Sequence, residues 1–139
     1  MNKKQSSLIK DISILTFIFF IFLSVILIFF TEILKNKKIK IAKNNLFFVY
    51  KELSNEVKKC KDPKLTWVFG NSCNTIPANE NISNYFNNTV KLVNPYDNQQ
   101  GTNGTPGSVI IDLQGREIIV SVDIDANGGL DINLGVDLD

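Results

Sequence analysis

At 139 residues, 44% of them hydrophobic and with a formal net charge of +1, the chain has room for one small domain and an anchor but not for two cores. It contains no His, which excludes imidazole metal sites, imidazole acid–base pairs and Ser-His-Asp triads. The near-neutral total hides an asymmetry: residues 1–60 carry eleven Lys against four acids (+7), and residues 61–139 carry three Lys and one Arg against ten acids (−6). A basic half followed by an acidic half suits an anchored protein and argues against a nucleic-acid partner.

Residues 12–31, ISILTFIFFIFLSVILIFFT, are uncharged and almost wholly aliphatic or aromatic. Twenty residues at about 1.5 Å rise span about 30 Å, the thickness of a hydrocarbon core. A chain this short could not surround such a helix as a buried core element. A cleavable signal peptide has a shorter apolar region, about 7–15 residues, followed by a small-residue cleavage site, and Thr31-Glu32-Ile33-Leu34-Lys35 offers none. The reading is a retained transmembrane helix over residues 7–34, preceded by a leader over residues 1–6. Two indicators of orientation disagree. Lys3, Lys4 and Lys10 precede the span and Lys35, Lys37, Lys38, Lys40 and Lys43 follow it, which by the positive-inside rule puts the C-terminal side in the cytoplasm. A cysteine pair further on asks instead for an oxidising compartment.

Beyond the span, Ile39, Ala42, Leu46, Val49, Leu53 and Val57 recur at steps of three and four, and Tyr50 widens the stripe. Lys40, Lys43, Lys51, Glu52 and Lys58 fall largely on other faces, the pattern of an amphipathic helix with one side packed. No Gly or Pro interrupts the chain before Asp62-Pro63, so one helix is expected from about residue 7 to about residue 60, its amphipathic part over residues 35–60.

Residues 61–139 read as a small β domain. Cys60 and Cys73 flank a segment with Pro63, Trp67, Gly70 and Asn71. A disulfide between them would contribute about 3 kcal/mol by loop entropy, a large share for a small core. Two free thiols, or half of a metal site, are the alternatives, the latter lacking a third Cys or any His. Thr89-Val90-Lys91-Leu92-Val93 is a short apolar stretch closed by the turn signal Asn94-Pro95-Tyr96-Asp97. Residues 98–107 are a polar, Gly-rich loop expected to be exposed and to bury nothing; without Gly-Lys-Ser/Thr it is no phosphate loop. Residues 109–113 and 117–123 are β-branched runs around Gln114-Gly115-Arg116, an antiparallel hairpin. Ile118, Val120 and Val122 form its apolar face, and residues 130–134 alternate as a final strand. The fold class expected is α+β: a long N-terminal helix, transmembrane and then an amphipathic spine, packed on a small C-terminal antiparallel sheet.

The ending VDIDANGGLDINLGVDLD has Asp123, Asp125, Asn127 and Gly128 spaced like the first half of an EF-hand loop. The twelfth position is Leu134, where a bidentate Glu is required, and no helix pattern flanks it. Two readings stay open: a Gly-Gly turn between two strands with solvated acids, which is preferred, and a looser Ca²⁺ site from Asp123, Asp125, Asn127 and Asp131. No other cofactor is expected.

Taken together, the basic leader, the apolar helix running into the spine LFFVYKELSNEVKKC (residues 46–60), the Cys closing that spine and the terminal sheet resemble a type IV pilin or pseudopilin. The Asn-Pro-Tyr turn and the ending, with Asp123, Asn127, Gly128, Asn133, Gly135 and Asp137, are similar to features of that family. The resemblance implies a structural subunit, a minor pilin or pseudopilin of a type IV pilus, competence or type II secretion-type filament. It implies the inner membrane as the place of storage, a periplasmic or extracellular C-terminal domain, and membrane lipid and other pilin-like subunits as partners. The family's leader is cut after a Gly; here Ser6 stands at that position, Ser7 as the first mature residue and Asp11 as the assembly carboxylate. No Gly occurs before Gly70, so the second expectation is a non-polymerising, single-pass anchored binding or assembly-accessory protein. An enzyme is not expected: the acid pair Asp123/Asp125 could in principle serve glycosidase chemistry, but a Gly-rich turn gives it no pocket.

Overall fold

The structure, a computed structural model, describes residues 3–138, with side chains described from Ile12 onward. The side chains of Ser6, Ser7 and Asp11 therefore lie outside the described residues. Helix α1 is Lys3–Lys59, followed by α2 (Asn79–Asn84), a π-turn (Tyr85–Thr89) and strands β1 (Val109–Gln114), β2 (Glu117–Val122) and β3 (Ile132–Asp137). The chain divides into two compact units, Met1–Asn36 and Lys37–Asp139.

The described residues of the first unit are all helix. Its large apolar side chains are exposed all round, from Ile12 through Phe17, Phe22 and Ile28 to Leu34. The helix is long and apolar enough to cross a membrane. Three of its hydroxyls are turned onto the helix's own carbonyls: Thr16 Oγ1 donates to Ile12 O at 2.8 Å, Ser24 Oγ to Ile21 O at 2.7 Å and Thr31 Oγ1 to Ile28 O at 2.8 Å. Internal satisfaction of this kind is what hydrocarbon demands of a polar group that cannot reach water.

The second unit holds the core. Ala42, Leu46, Val49, Leu53 and Val57, the stripe read from the sequence, are all buried and join one cluster with the sheet. The sheet has order β1-β2-β3 and is antiparallel throughout, Val109 opposite Val122 and Val122 opposite Ile132. Gln114 pairs with Glu117, leaving Gly115-Arg116 as a two-residue turn. Gly115 has φ +65°, as the hairpin turns whose twist suits the strands require at their first central position. Ile118, Val120 and Val122 belong to that cluster and are fully buried, as the alternation predicts. Toward the end of β2 the alternation fails, because Ser121 and Asp123 are buried as well.

Three features differ from the sequence reading. First, Asn79-Glu-Asn-Ile-Ser-Asn84 is a helix and Tyr85–Thr89 a π-turn. The local residues favour neither, but Ile82 and Phe86, four apart, are both at 0% exposure, so tertiary burial overrides propensity. Phe86 lies edge-on to Phe48 and Tyr85, and Phe69 stacks with Trp67. Second, the last strand begins at Ile132 and not at residue 130. Asp131 is used otherwise: its main-chain N–H donates to Val122 O, and its carboxylate accepts from Ile124 N.

Third, the polar loop after Asn94 does bury residues: Asn94, Gly101, Gly107 and Ser108 are inside. Asn94, at 0% exposure, is the hub. Its Nδ2 donates to Thr105 Oγ1 and to Pro106 O, both at 3.0 Å, and its Oδ1 accepts from Tyr96 N at 2.9 Å. Gly107 has φ +85° and presses against the Tyr96 ring and Asn94 Oδ1, where any Cβ would collide. A loop of polar residues can thus be interior when a buried carboxamide satisfies its backbone.

Candidate functional site

The described side chains bring together the acids Asp123, Asp125 and Asp131, each with a carboxylate oxygen within 4.8 Å of the others. They close the path from β2 to β3. Asp123 Oδ1 accepts from Asn127 N at 3.1 Å and Oδ2 from Gly128 N at 2.6 Å. Asp125 Oδ1 accepts from Asn127 N at 3.2 Å, and Asp131 Oδ2 from Ile124 N at 2.6 Å. Asn127, expected as a fourth ligand, contributes its main-chain N–H; its side-chain Oδ1 turns to Gly129 N at 2.9 Å. Ala126 (φ +59°) and Gly128 (φ +94°) are left-handed, which aims successive amides inward at the carboxylates.

This donor set is of the hard-oxygen kind that Ca²⁺ takes, and Asp123, Asp125 and Asp131 are the residues that would hold such an ion. Bound through one oxygen each, the three carboxylates would supply half of a six-oxygen shell, and each also accepts from main-chain N–H groups of the turn.

The acids act on their surroundings. Tyr96 donates its phenol proton to Ile124 O at 2.6 Å, linking the loop around Asn94 to the acidic turn. Burial raises the Tyr96 phenol above its ordinary 10.0, and Asp125, Asp123 and Asp131 push it the same way. Lys38 Nζ sits 5.3 Å from the centre of the Tyr96 ring, a cation–π contact. Lys43 lines the same shallow groove as Ile39, Asp125 and Asp131. The sequence reading placed Asn94 and Tyr96 in a turn but not at this site, since only the fold brings them beside residues far along the chain.

At the other end of this unit Cys60 and Cys73 are joined in a disulfide, with Cα atoms 5.0 Å apart. The loop it closes is ordered by its own contacts. Trp67, buried, donates Nε1–H to Thr75 O at 2.9 Å, and Glu56 Oε2 accepts from Val68 N at 2.8 Å while pairing with Lys59 at 3.2 Å. Phe47 and Phe48 on α1 stay largely exposed, as do Val68 and Val93.

Comparison with protein families, with curated proteins and with solved structures finds no match to this chain.

Proposed function

We propose that the chain is a structural subunit, a minor pilin or pseudopilin-like protein, that is stored in the inner membrane and assembles through its apolar helix. The observation that carries this is the change of regime along α1, apolar and exposed on every face from Ile12 to Leu34, then one-sided and buried from Ala42 to Val57. A helix that served only as an anchor needs no such continuation into the core of an outer unit. The disulfide is consistent with an outer unit in an oxidising compartment, periplasmic or extracellular. The partners on this reading are membrane lipid and other pilin-like subunits, in homo- or hetero-filaments. Nucleic acid is not among them, and no catalytic role is assigned.

The test is fractionation under conditions that express a pilus, competence or secretion filament. Recovery of the protein in sheared filaments supports the reading, and protein found only in membranes counts against it. Intact mass separates the alternative: loss of residues 1–6 with a methylated Ser7 marks a processed subunit, whereas an intact N-terminus favours the non-polymerising, membrane-anchored accessory protein. The Ser at position 6, in place of a Gly, is the observation that keeps this second reading in play.

A further inference from the structure

The chain contains two Asn-Gly steps, Asn103-Gly104 and Asn127-Gly128, and the fold places them in opposite chemical situations. In such a step the glycine nitrogen can attack the preceding side-chain amide carbon, because no Cβ obstructs the approach. This reaction underlies the lability of Asn on heating and ageing.

At Asn103 the geometry favours it. Asn103 Oδ1 accepts from Thr105 N at 3.1 Å and from Thr105 Oγ1 at 2.6 Å. The Thr105 N–H polarises the amide, and the Thr105 hydroxyl proton, shared between Asn103 Oδ1 and Asp97 Oδ2, adds to this when it turns to Asn103, where negative charge grows as Cγ becomes tetrahedral. Gly104 has φ +78° and open space around it, and its N–H has no hydrogen-bond partner among the described residues. At Asn127 the nucleophile is tied up: Gly128 N–H donates at 2.6 Å to Asp123 Oδ2, and removing its proton beside that anion is disfavoured. Asn127 Oδ1 has one donor, Gly129 N.

We propose that Asn103 is a site of self-catalysed deamidation and that the acidic turn protects Asn127 from the same reaction. The Gly104 nitrogen forms a bond to Asn103 Cγ and loses its proton, and the Cγ–Nδ2 bond breaks as ammonia leaves with that proton. Water then opens the cyclic imide at either carbonyl, giving Asp or isoaspartate at position 103. No redox partner is involved. The new carboxylate meets Asp97, whose Oδ2 lies 3.0 Å from the same Thr105 hydroxyl. One hydroxyl proton then faces two anions, and Asn94, which donates to that hydroxyl, loses a firmly held acceptor. The modification thus turns a neutral loop tip acidic and loosens the hub of the loop.

The experiment ages the full-length protein in detergent micelles at mildly alkaline pH and follows both Asn-containing peptides by mass, native and in denaturant. In the native protein Asn103 should convert at least about tenfold faster than Asn127, a barrier difference of about 1.4 kcal/mol. In denaturant the two rates should converge, since both are then unconstrained Asn-Gly steps. Equal native rates, or Asn127 first, overturn the proposal, and a difference that persists in denaturant overturns its structural cause. Thr105→Val should slow conversion at Asn103; an unchanged or faster rate would remove the polarising role given to the hydroxyl.

Discussion

Replacing Asp123 by alanine removes a carboxylate that is 4% exposed and holds the main-chain N–H groups of Asn127 and Gly128. Hydrogen bonds to a charged acceptor are worth about 1.5–3 kcal/mol each. The bond at 2.6 Å to Gly128 N has no substitute, whereas Asn127 N keeps Asp125 Oδ1 at 3.2 Å. Relief of repulsion from Asp125 and Asp131 offsets part of the loss, so the expected net cost is about 2–4 kcal/mol. For a unit of about a hundred residues this lowers Tm by roughly 10–20 °C. Asp125→Ala, which removes one longer bond from a half-exposed residue, should cost less than about 1 kcal/mol. Trp67 is the single tryptophan and is buried in this unit, so its fluorescence reports urea and thermal unfolding without interference from the apolar helix of the first unit. If the two variants unfold within about 0.5 kcal/mol of each other, the carboxylate of Asp123 does not hold the turn and the assignment fails.

Four further outcomes are expected. Leu46→Ala, at 0% exposure, should destabilise the second unit by about 2–5 kcal/mol in a urea melt, while Phe47→Ala, at 51%, should leave it nearly unchanged. Cys60→Ser with Cys73→Ser opens a loop with a sequence separation of 13 and should cost about 3 kcal/mol; a melt insensitive to reductant would contradict that. The raised Tyr96 pKa means that folding favours the neutral phenol. Its contribution is whole below the unfolded value of about 10 and is lost as pH climbs through the folded value, so stability should fall on that alkaline limb and fall less in Tyr96→Phe. Because main-chain amides already occupy the acidic turn, calcium should leave Tm unchanged relative to chelator. A calcium-dependent rise that Asp125→Ala abolishes would assign Asp123, Asp125 and Asp131 to the ion.

Where a single periodic signal ran through the chain, the sequence by itself was sufficient. The uncharged, almost wholly apolar run of residues 12–31 announces a helix long and apolar enough to cross a membrane, and the stripe from Ala42 to Val57 announces a buried face because α-helical geometry puts steps of three and four on one side. The hairpin was equally legible, since β-branched alternation around a glycine turn is a local property and Val109–Gln114 and Glu117–Val122 needed no partner to be recognised. Tertiary structure decided what depends on residues far apart in the chain. Asn94 looks like one more polar loop residue until Thr105 and Pro106 return to it, and only then is the loop interior. The segment Asn79–Asn84 is helical because Ile82 and Phe86 find a core there, against weak local preference. The closing acids read as a turn first and as a looser ion site second, because spacing specifies which oxygens come near one another but not which donors reach them. In the fold the carboxylates accept from the main-chain amides of Asn127, Gly128 and Ile124, and the bond at Gly128 N is the one that sets its Asn-Gly step apart from that at Gly104.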